Sequence, residues 1–427
     1  MTRSGWVNTP IKFLVSLNDD VLPETFPATA EIHYVEISDV SEATGITWHD
    51  SISFGEAPSR ARRRIRDGDV LVSTVRTYLR AVAGVDNARD KAVASTGFAV
   101  LRPKHIHSGF LEYAMLNSAV LDEVVARSVG VSYPAINASD LIAIKIPAPD
   151  FREQEEVATF LDRETAEIDA FIADHEELIG LLAERRAATI GHAVTKGLDP
   201  SVAMKDSGVE WLADVPVHWA VGQLKNLCEL ALGKMLEPLE SLDASLQLPY
   251  MRAANVQPLG VVDLSSAKEM WFTPNEARRL TLRRGDVVVV EGGVGGYGRA
   301  AYLPMDLDGW AFQNSIIRVR PGAAKGDGRF IAFALLHLRK VGYIEMAASV
   351  TSMPHFTLDK VEKTVIAWPG PSEQRAISDY LDLETIELDA AIADAREAVA
   401  LSRERRAALI SAAVTGKIDV RERGAVA

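Results

Sequence analysis

The sequence predicts an α+β fold with two globular modules, each followed by a long helix, and with the two helices packed as an antiparallel coiled coil. The stretch 153–199 aligns without a gap with 373–419, at an offset of 220 residues and with about half of the positions identical. The segments in front of the two copies differ, so the chain has a repeated, pseudo-twofold frame that carries two variable modules. Apolar residues recur at helical spacing, and six of them are predicted to form the seam between the helices: Leu161, Ile168, Ile172, Leu381, Leu388 and Ile392.

The ends of the repeat divide the chain into five predicted segments. Within the first module we expect a strand at 70–75, a helix at 110–125 and a short strand at 141–146. The predicted limits are 1–150 for the first module, 151–199 for the first helix, 200–368 for the second module, 369–420 for the second helix and 421–427 for a polar tail.

Short motifs recur in both modules. The turn Asp67-Gly68-Asp69 before the first predicted strand is mirrored by Arg284-Gly285-Asp286. The loop VSYPAI, which contains Pro134, is mirrored by TSMPHF, which contains Pro354 at an offset of 220. The modules therefore share a skeleton and differ mainly in surface sequence.

Acidic residues concentrate on the two predicted helices. The net charge of the chain is −13, of which residues 151–186 contribute −7 and residues 372–406 contribute −4, leaving about −2 for the rest. The acidic helix faces are either solvated or packed on other subunits. Because local patches rather than whole-chain charge determine partners, the acidity does not exclude nucleic-acid binding by the modules.

The composition, 48% hydrophobic and 25% charged, is typical of a globular protein. The single cysteine, Cys228, excludes an internal disulfide and suits a reducing compartment, and we interpret it as a small core residue. The N-terminus lacks the apolar core of a signal peptide, and no apolar run approaches the length of a bilayer span. We expect a cytoplasmic protein without membrane contact.

A glycine-rich run, GVGGYG, extends from Gly293 to Gly298 and fits the dinucleotide-binding fingerprint GxGxxG. Such a fingerprint must open a helix that holds the pyrophosphate, whereas the residues that follow, RAAYLP, are typical of a strand. We therefore favour a glycine-rich hairpin that lets the backbone approach a large partner. A nucleotide-binding oxidoreductase is kept as an alternative.

Arginines cluster in both modules, beside loops that contain glycine, tyrosine, threonine and serine. They form either a solvated face or a set of contacts to nucleic-acid phosphates, which arginine binds well. The candidates for phosphate contacts are Arg60, Arg62, Arg63, Arg64, Arg278 and Arg279.

The sequence contains no motif of the common catalytic classes: no GxxxxGK[ST], HExxH or GxSxG, and no metal-binding spacing of cysteine and histidine. We therefore predict that the chain is not an enzyme, and that it has no catalytic residue, metal site or cofactor of its own. A coiled-coil adaptor without any role on DNA is the structural alternative.

The order of module, helix, module and helix resembles the specificity subunit of type I restriction–modification enzymes. The resemblance covers nearly the whole chain, although Trp6 is not followed by a Pro-x-x-Trp motif such as Pro216 to Trp219. It rests on the helix motifs EQ…LD…ET…ID and ERRAA…AVT and on the stretches 73–81, 207–219, 250–256 and 282–293.

The resemblance implies that each module is a target recognition domain that reads one half of an asymmetric bipartite site in double-stranded DNA. It also implies that the helices hold the modules apart and dock two modification subunits, which methylate adenine, and through them restriction subunits. S-adenosylmethionine, ATP and Mg would then be used by the complex rather than by this chain.

Recognition loops vary within the family, so the DNA-contacting residues are chosen by chemistry and position. In the first module they are Thr74, Arg76, Thr77, Tyr78, Arg80, Ser132 and Tyr133. In the second module they are Gly296, Tyr297, Arg299, Ser352 and His355.

Overall fold

A computed structural model describes residues 5–42, 44–235, 246–293, 296–322, 325–348 and 354–423. The two repeated stretches form long helices, Phe151–Lys196 and Pro371–Val414, called here the first and second long helix. A further short helix, Val420–Arg423, occupies the beginning of the predicted tail.

The chain divides into two compact units. Unit one contains Met1–Glu177 and Ala395–Ala427, and unit two contains Leu178–Asp394. Each unit therefore combines one module with a part of both long helices. The segments predicted from the sequence instead placed each helix apart from the modules. The predicted domain limits themselves stay predictions.

The module of unit one is built on two four-stranded sheets. In the first sheet Glu31–Val35 and Ala92–Ser95 are parallel neighbours, flanked by Ile52–Ser53 and Ala61–Arg64 in antiparallel pairing. The second sheet is antiparallel, with the order Val15–Leu17, Phe98–Pro103, Val70–Ser73 and Val82–Gly84. Two antiparallel pairs complete the module: Val7–Pro10 with Lys145–Ala148, and Val40–Ser41 with Gly45–Ile46.

The helices of this module cover one face of the second sheet. The predicted helix 110–125 is two helices, Ser108–Leu116 and Ser118–Ala126, because Asn117 ends the first and caps the second by accepting a hydrogen bond from the backbone of Ala119. The predicted strand 141–146 is wrong in its bounds. A helical turn, Ala138–Leu141, comes first, and the strand is Lys145–Ala148.

Unit two repeats this plan. Its main antiparallel sheet has the order Cys228–Leu232, Ile316–Pro321, Val287–Val290 and Ala300–Tyr302. A second sheet contains Lys268–Phe272, Leu246–Met251 and Ala311–Phe312, and two further pairs join Ala220–Gln223 to Val365–Trp368 and Met204–Asp206 to Asp214–Pro216. The helices are Pro274–Arg279, Gly328–Lys340, Tyr343–Ala348 and Leu358–Lys363.

Each main sheet contains a buried arginine–aspartate pair. The guanidinium of Arg102 donates two hydrogen bonds of 2.8 Å to the carboxylate of Asp69. In unit two Arg320 donates to Asp286 at 2.6 and 2.7 Å. Both aspartates follow a left-handed glycine, Gly68 or Gly285, so the recurrent turn of the sequence positions the carboxylate for a bidentate pair.

A tryptophan joins each module to the start of the long helix in its own unit. The indole nitrogen of Trp219 donates to Glu373 at 3.0 Å, and that of Trp6 donates to Glu153 at 2.9 Å. Trp6 is therefore the counterpart of Trp219 even though it lacks the Pro-x-x-Trp motif. A single indole hydrogen bond at the helix start is enough to define this role.

Apolar residues of the helices complete the core of each unit. In unit one Val157 and Leu161 lie in the same core as Ile410 and Val414. In unit two Ile190 and Val194 lie in the same core as Ile377 and Leu381. Of the predicted seam residues, Ile172 is partly buried and the other five are buried: Leu161, Ile168, Leu381, Leu388 and Ile392.

Candidate nucleic-acid interface

In unit one, two loops are bound together at the end of the central strand Val70–Ser73. An antiparallel bridge joins Val75 to Ala135. The backbone of Ile136 donates to the carbonyl of Thr74 at 2.9 Å, and the backbone of Arg76 donates to the carbonyl of Pro134 at 2.8 Å. The loop 74–81 and the loop 130–136 therefore form one surface, called here the paired-loop surface of unit one.

The backbone of this surface is strained at two arginines. Arg76 has φ 52° and Arg80 has φ 51°, and they flank a single 3-10 turn, Thr77–Leu79. Residues other than glycine adopt this left-handed conformation only where surrounding contacts impose it. At Arg76 the backbone hydrogen bond to the carbonyl of Pro134 supplies that constraint, and at Arg80 the backbone hydrogen bond to the carbonyl of Thr77 closes the turn.

The side chains at the tip of the surface are aromatic, apolar and cationic. Tyr78 is 55% exposed and Tyr133 is 66% exposed. The guanidinium of Arg76 lies 5.1 Å from the centre of the Tyr133 ring. An exposed arginine held on an aromatic face is suited to bidentate contacts with a guanine edge or a phosphate.

Not every predicted contact residue of the first module reaches this exposed tip. The side chain of Thr74 is buried and donates to the carbonyl of Gly97 at 2.9 Å. Thr77 is also buried, and its hydroxyl lies 2.7 Å from that of Ser128. We correct the prediction for these two threonines: their hydroxyls support the loop from beneath and do not face a partner.

The remaining two predicted residues of the first module are exposed. Ser132 lies on the loop 130–136 with its side chain open to solvent. The guanidinium of Arg80 is bound to the carboxylate of Asp122 at 2.6 Å, across an exposed surface. Because such a pair is worth little in water, Arg80 can exchange Asp122 for a phosphate at small cost.

Unit two repeats the joined loops with different side chains. An antiparallel bridge joins Gly292 to His355, and the backbone of Phe356 donates to the carbonyl of Glu291 at 2.7 Å. Burial raises the pKa of the Glu291 carboxyl, while the adjacent His355 opposes that shift. The segments 291–293, 296–299 and 354–356 form the paired-loop surface of unit two.

The described predicted residues of the second module are less exposed than the five exposed ones of the first. Gly296, Tyr297, Arg299 and His355 are each partly buried. Tyr297 packs against the core of the unit, and Arg299 lies 3.5 Å from the carbonyl of Val256. Ser352 lies outside the described residues.

The glycine-rich run does not lead into a helix. The strand Val287–Val290 pairs in antiparallel fashion with Ala300–Tyr302, which begins two residues after Gly298. A dinucleotide fold requires a helix at this point, with its N-terminus on the pyrophosphate. The geometry therefore contradicts the oxidoreductase alternative and supports the hairpin interpretation.

The predicted phosphate contacts fall into two groups. Arg278 and Arg279 are exposed on the last turn of the helix Pro274–Arg279. In unit one the guanidinium of Arg63 donates to Asn18 at 2.5 Å, and burial lowers its pKa. The other three of that unit are engaged with neighbours: Arg60 with Tyr34 and Glu36, Arg62 with the ring of Phe54, and Arg64 with the ring of Phe26.

Three exposed apolar side chains lie in or next to the paired-loop surface of unit one, and no sequence pattern predicted their exposure. Leu79, Val129 and Val131 are each at least half exposed. Leu79 lies in the loop 74–81, and Val129 is bridged to Ala135. Their apolar character alone predicts burial, so only the structure identifies them as a surface that a thymine methyl group or a sugar could contact.

In the described part of the chain, histidine, cysteine, aspartate and glutamate side chains form no cluster of three or more that is suited to a metal ion. None of the described helices has the length and apolar character needed to traverse a bilayer. The free thiol of Cys228 is buried, and burial raises its pKa to about 12. Such a thiol stays protonated at neutral pH, as expected of a core residue.

Known proteins share this sequence pattern. The family model described as "Type I restriction modification DNA specificity domain" matches residues 28–177 and 216–394. The chain is 28% identical over 193 residues to the type I restriction enzyme EcoKI specificity subunit of Escherichia coli K12, covering 44% of this chain and 39% of that protein. It is 22% identical over 311 residues to the MjaVIII specificity subunit of Methanocaldococcus jannaschii, covering 69% of this chain and 67% of that protein.

Two solved structures show the same fold. A chain from a study of complex assembly and conformational transition of the type I R-M system superposes with a TM-score of 0.69 at 22% identity, covering 98% of this chain and 100% of that chain. The HsdS subunit from Thermoanaerobacter tengcongensis gives a TM-score of 0.50 at 21% identity, with 98% of each chain covered. Since the family model covers most of the chain, the resemblance to type I specificity subunits is confirmed: the protein belongs to the family of type I restriction modification DNA specificity domains.

Proposed function

We propose that this chain is the DNA-recognition subunit of a type I restriction–modification complex and that each module reads one half of an asymmetric bipartite site. The observation that carries this proposal is the paired-loop surface. Both units join two loops by the same bridge, Val75 to Ala135 and Gly292 to His355, yet present different side chains around it. Two different half-sites require the same backbone support with different side chains in contact with the DNA.

The chemistry of the two surfaces supports different base preferences. The surface of unit one offers the exposed guanidinium of Arg76 and the rings of Tyr78 and Tyr133. The surface of unit two offers glycine backbone and the imidazole of His355, with Arg278 and Arg279 exposed on a helix of the same module. Arginine and aromatic groups suit guanine edges and thymine methyls, whereas bare backbone permits close approach to the sugar-phosphate chain.

The long helices are proposed to pair as a coiled coil that fixes the number of unread base pairs between the half-sites. Two ion pairs between the helices support pairing in the antiparallel sense, Arg186 with Asp389 in unit two and Arg406 with Asp169 in unit one. The acidic outer faces of the helices are proposed to dock two modification subunits and, through them, restriction subunits.

The complex, rather than this chain, is proposed to use S-adenosylmethionine, ATP and Mg. This assignment follows from the predicted absence of catalytic motifs and from the family. The single cysteine favours a reducing, cytoplasmic location.

Two experiments test the proposal. Gel shifts of the chain with its modification partner on random duplex DNA should show binding at low salt that weakens steeply as salt rises. Mapping of N6-methyladenine in cells with and without the chain should reveal one bipartite motif that depends on it. Failure to bind DNA at low salt would instead favour the adaptor without a DNA role.

A further inference from the structure

An arginine of the first long helix contacts a loop of the second module within unit two. The side chain of Arg186 is 8% exposed, and its Nε lies 2.8 Å from Oδ1 of Asp389 on the second long helix. Nη2 of Arg186 donates to Oδ2 of Asp389 at 3.1 Å and, at the longer distance of 3.5 Å, to the carbonyl of Leu259. One guanidinium thus links both helices to the module.

The contacted loop, 256–262, is closed by a bridge and packed against a strand of that module. A bridge closes it between Val256 and Val262, and Leu259 takes a left-handed conformation with φ 64°. Its 3-10 turn, Pro258–Gly260, packs against the strand Ala300–Tyr302. That strand directly follows the paired-loop surface of unit two, so the helix arginine is connected to the recognition loop through the loop 256–262 and this strand.

Unit one contains the same arrangement with different chemistry. Nε of Arg406 lies 2.9 Å from Oδ1 of Asp169, and Nη1 lies 3.7 Å from Oε1 of Glu42. Glu42 belongs to the turn between Val40–Ser41 and Gly45–Ile46. This hairpin packs against the strand Val82–Gly84, which follows the loop 74–81 as Ala300–Tyr302 follows its counterpart.

The two arrangements correspond by the sequence repeat. Arg406 is Arg186 plus 220, and Asp389 is Asp169 plus 220. The helices thus supply an identical arginine–aspartate pair to each unit. The module contributes a backbone carbonyl in unit two and a carboxylate in unit one. Because a largely buried guanidinium needs partners, each arginine adds a defined polar contact between its module and the helices, beside the tryptophan hydrogen bonds and the shared cores.

We propose that Arg186 with Asp389, and Arg406 with Asp169, are positioning residues that orient each recognition surface on the helix pair and thereby restrict the enzyme complex to one half-site gap. This inference rests on the proposed function. It assigns no contact with DNA to these residues; they act through the loop 256–262 and the hairpin that contains Glu42.

The test uses the full chain assembled with its modification subunits. The motif is first mapped by N6-methyladenine sequencing, and DNA duplexes are then made with both natural half-sites and a gap that is correct, one base pair shorter or one base pair longer. The variants are Arg186→Ala, Asp389→Ala and Arg406→Ala. Arg185→Ala and Arg405→Ala, which remove the exposed neighbouring arginines, are the matched controls.

Methylation at the wrong gaps, relative to the correct gap, should rise about tenfold in the three variants, the factor expected for loss of one buried charge-assisted hydrogen bond. Base preferences within each half-site should stay unchanged in the three variants. Both control variants should keep the wild-type ratio of wrong-gap to correct-gap methylation. A purely structural role would lower methylation equally at all gaps, and an unchanged ratio in folded Arg186→Ala would overturn the proposal.

Two further variants cover the case in which Arg186→Ala does not fold. Arg186→Lys keeps the charge but lacks the planar fork with which the guanidinium meets both carboxylate oxygens of Asp389, and should give a smaller rise in wrong-gap methylation. The double variant Arg186→Asp with Asp389→Arg exchanges the two partners. Its ratio of wrong-gap to correct-gap methylation should be lower than that of Arg186→Asp alone. If Arg186→Lys has the wild-type ratio and the exchange restores nothing, the positioning role is refuted. A wild-type complex that methylates no bipartite site would refute the proposed function instead.

Discussion

The guanidinium of Arg76 lies 5.1 Å from the centre of the Tyr133 ring, on two loops joined by the bridge between Val75 and Ala135. The contact orders two long side chains before any partner binds. Less side-chain entropy is then lost on binding, which favours affinity. This pair is therefore the strongest candidate for direct readout in the first half-site.

Replacing Arg76 with alanine should weaken binding of the complex to its site by about 1–3 kcal/mol, the range for one bidentate arginine–base contact. Fluorescence anisotropy with labelled site DNA measures this change. Arg152→Ala, which removes an exposed arginine from the first long helix, should leave the affinity unchanged. Equal affinities for Arg76→Ala and the wild type would remove Arg76 from the interface.

Arg278 and Arg279 should act through phosphates. Their removal should weaken binding to specific and random DNA alike. Each substitution should reduce the slope of log affinity against log salt by about 0.9, the value for one neutralised phosphate. Titrations at several salt concentrations provide the slope. An unchanged slope in both single variants would assign these exposed arginines to a solvated face.

The pair of Arg320 and Asp286 should be important for stability. Asp286→Ala leaves a largely buried guanidinium without its bidentate partner, and should lower the free energy of unfolding by about 3–5 kcal/mol. Urea unfolding followed by circular dichroism measures the loss. Asp359→Ala breaks the exposed pair with Lys363 and should cost less than about 1 kcal/mol. Similar losses of unfolding free energy in the two variants would show that burial does not strengthen the pair of Arg320 and Asp286.

Glu112 should make unit one less stable as pH rises. Burial raises the pKa of its carboxyl above the ordinary 4.5, Asp86 and Asp162 add to the shift, and the backbone of Gly84 and Arg406 oppose it. The folded state therefore favours the protonated acid. The penalty is absent below the unfolded pKa and grows until pH passes the raised, folded pKa.

Glu112→Gln removes this titration while keeping a similar shape. The melting temperature of the variant should exceed that of the wild type at neutral pH, and the difference should shrink as pH falls toward about 4.5. Calorimetry across this range tests the sign. A difference that is constant with pH would show that folding does not shift the pKa of Glu112.

Helix length should determine the tolerated gap. Seven residues inserted into one long helix add about 10 Å. That length corresponds to about three base pairs at 3.4 Å each. Mapping of N6-methyladenine should then show an altered spacing between unchanged half-sites. Unchanged spacing in a folded, active variant would exclude the helices as the spacer.

Much of the architecture was accessible before the structure. The gapless repeat predicted the two long helices, and the paired glycine turns predicted equivalent strands, because helical periodicity and positive-φ glycines are local signals. The predicted helix 110–125 failed at Asn117, where a side-chain cap competes with helix continuation. The exposure of the candidate contact residues was predicted less well, because exposure is not a local property.

The sequence by itself determined the family, the repeat and the position of the variable loops in each module, because these depend on residue order and spacing. Only the tertiary structure decided which loop side chains face outward. Thr74 and Thr77 turn inward to satisfy hydroxyls, whereas Leu79 and Val131 turn outward. It also decided that Arg186 and Arg406, two of many arginines in the sequence, join helices to modules. Burial and partner geometry arise from residues far apart in the chain, and a spacing pattern does not encode them.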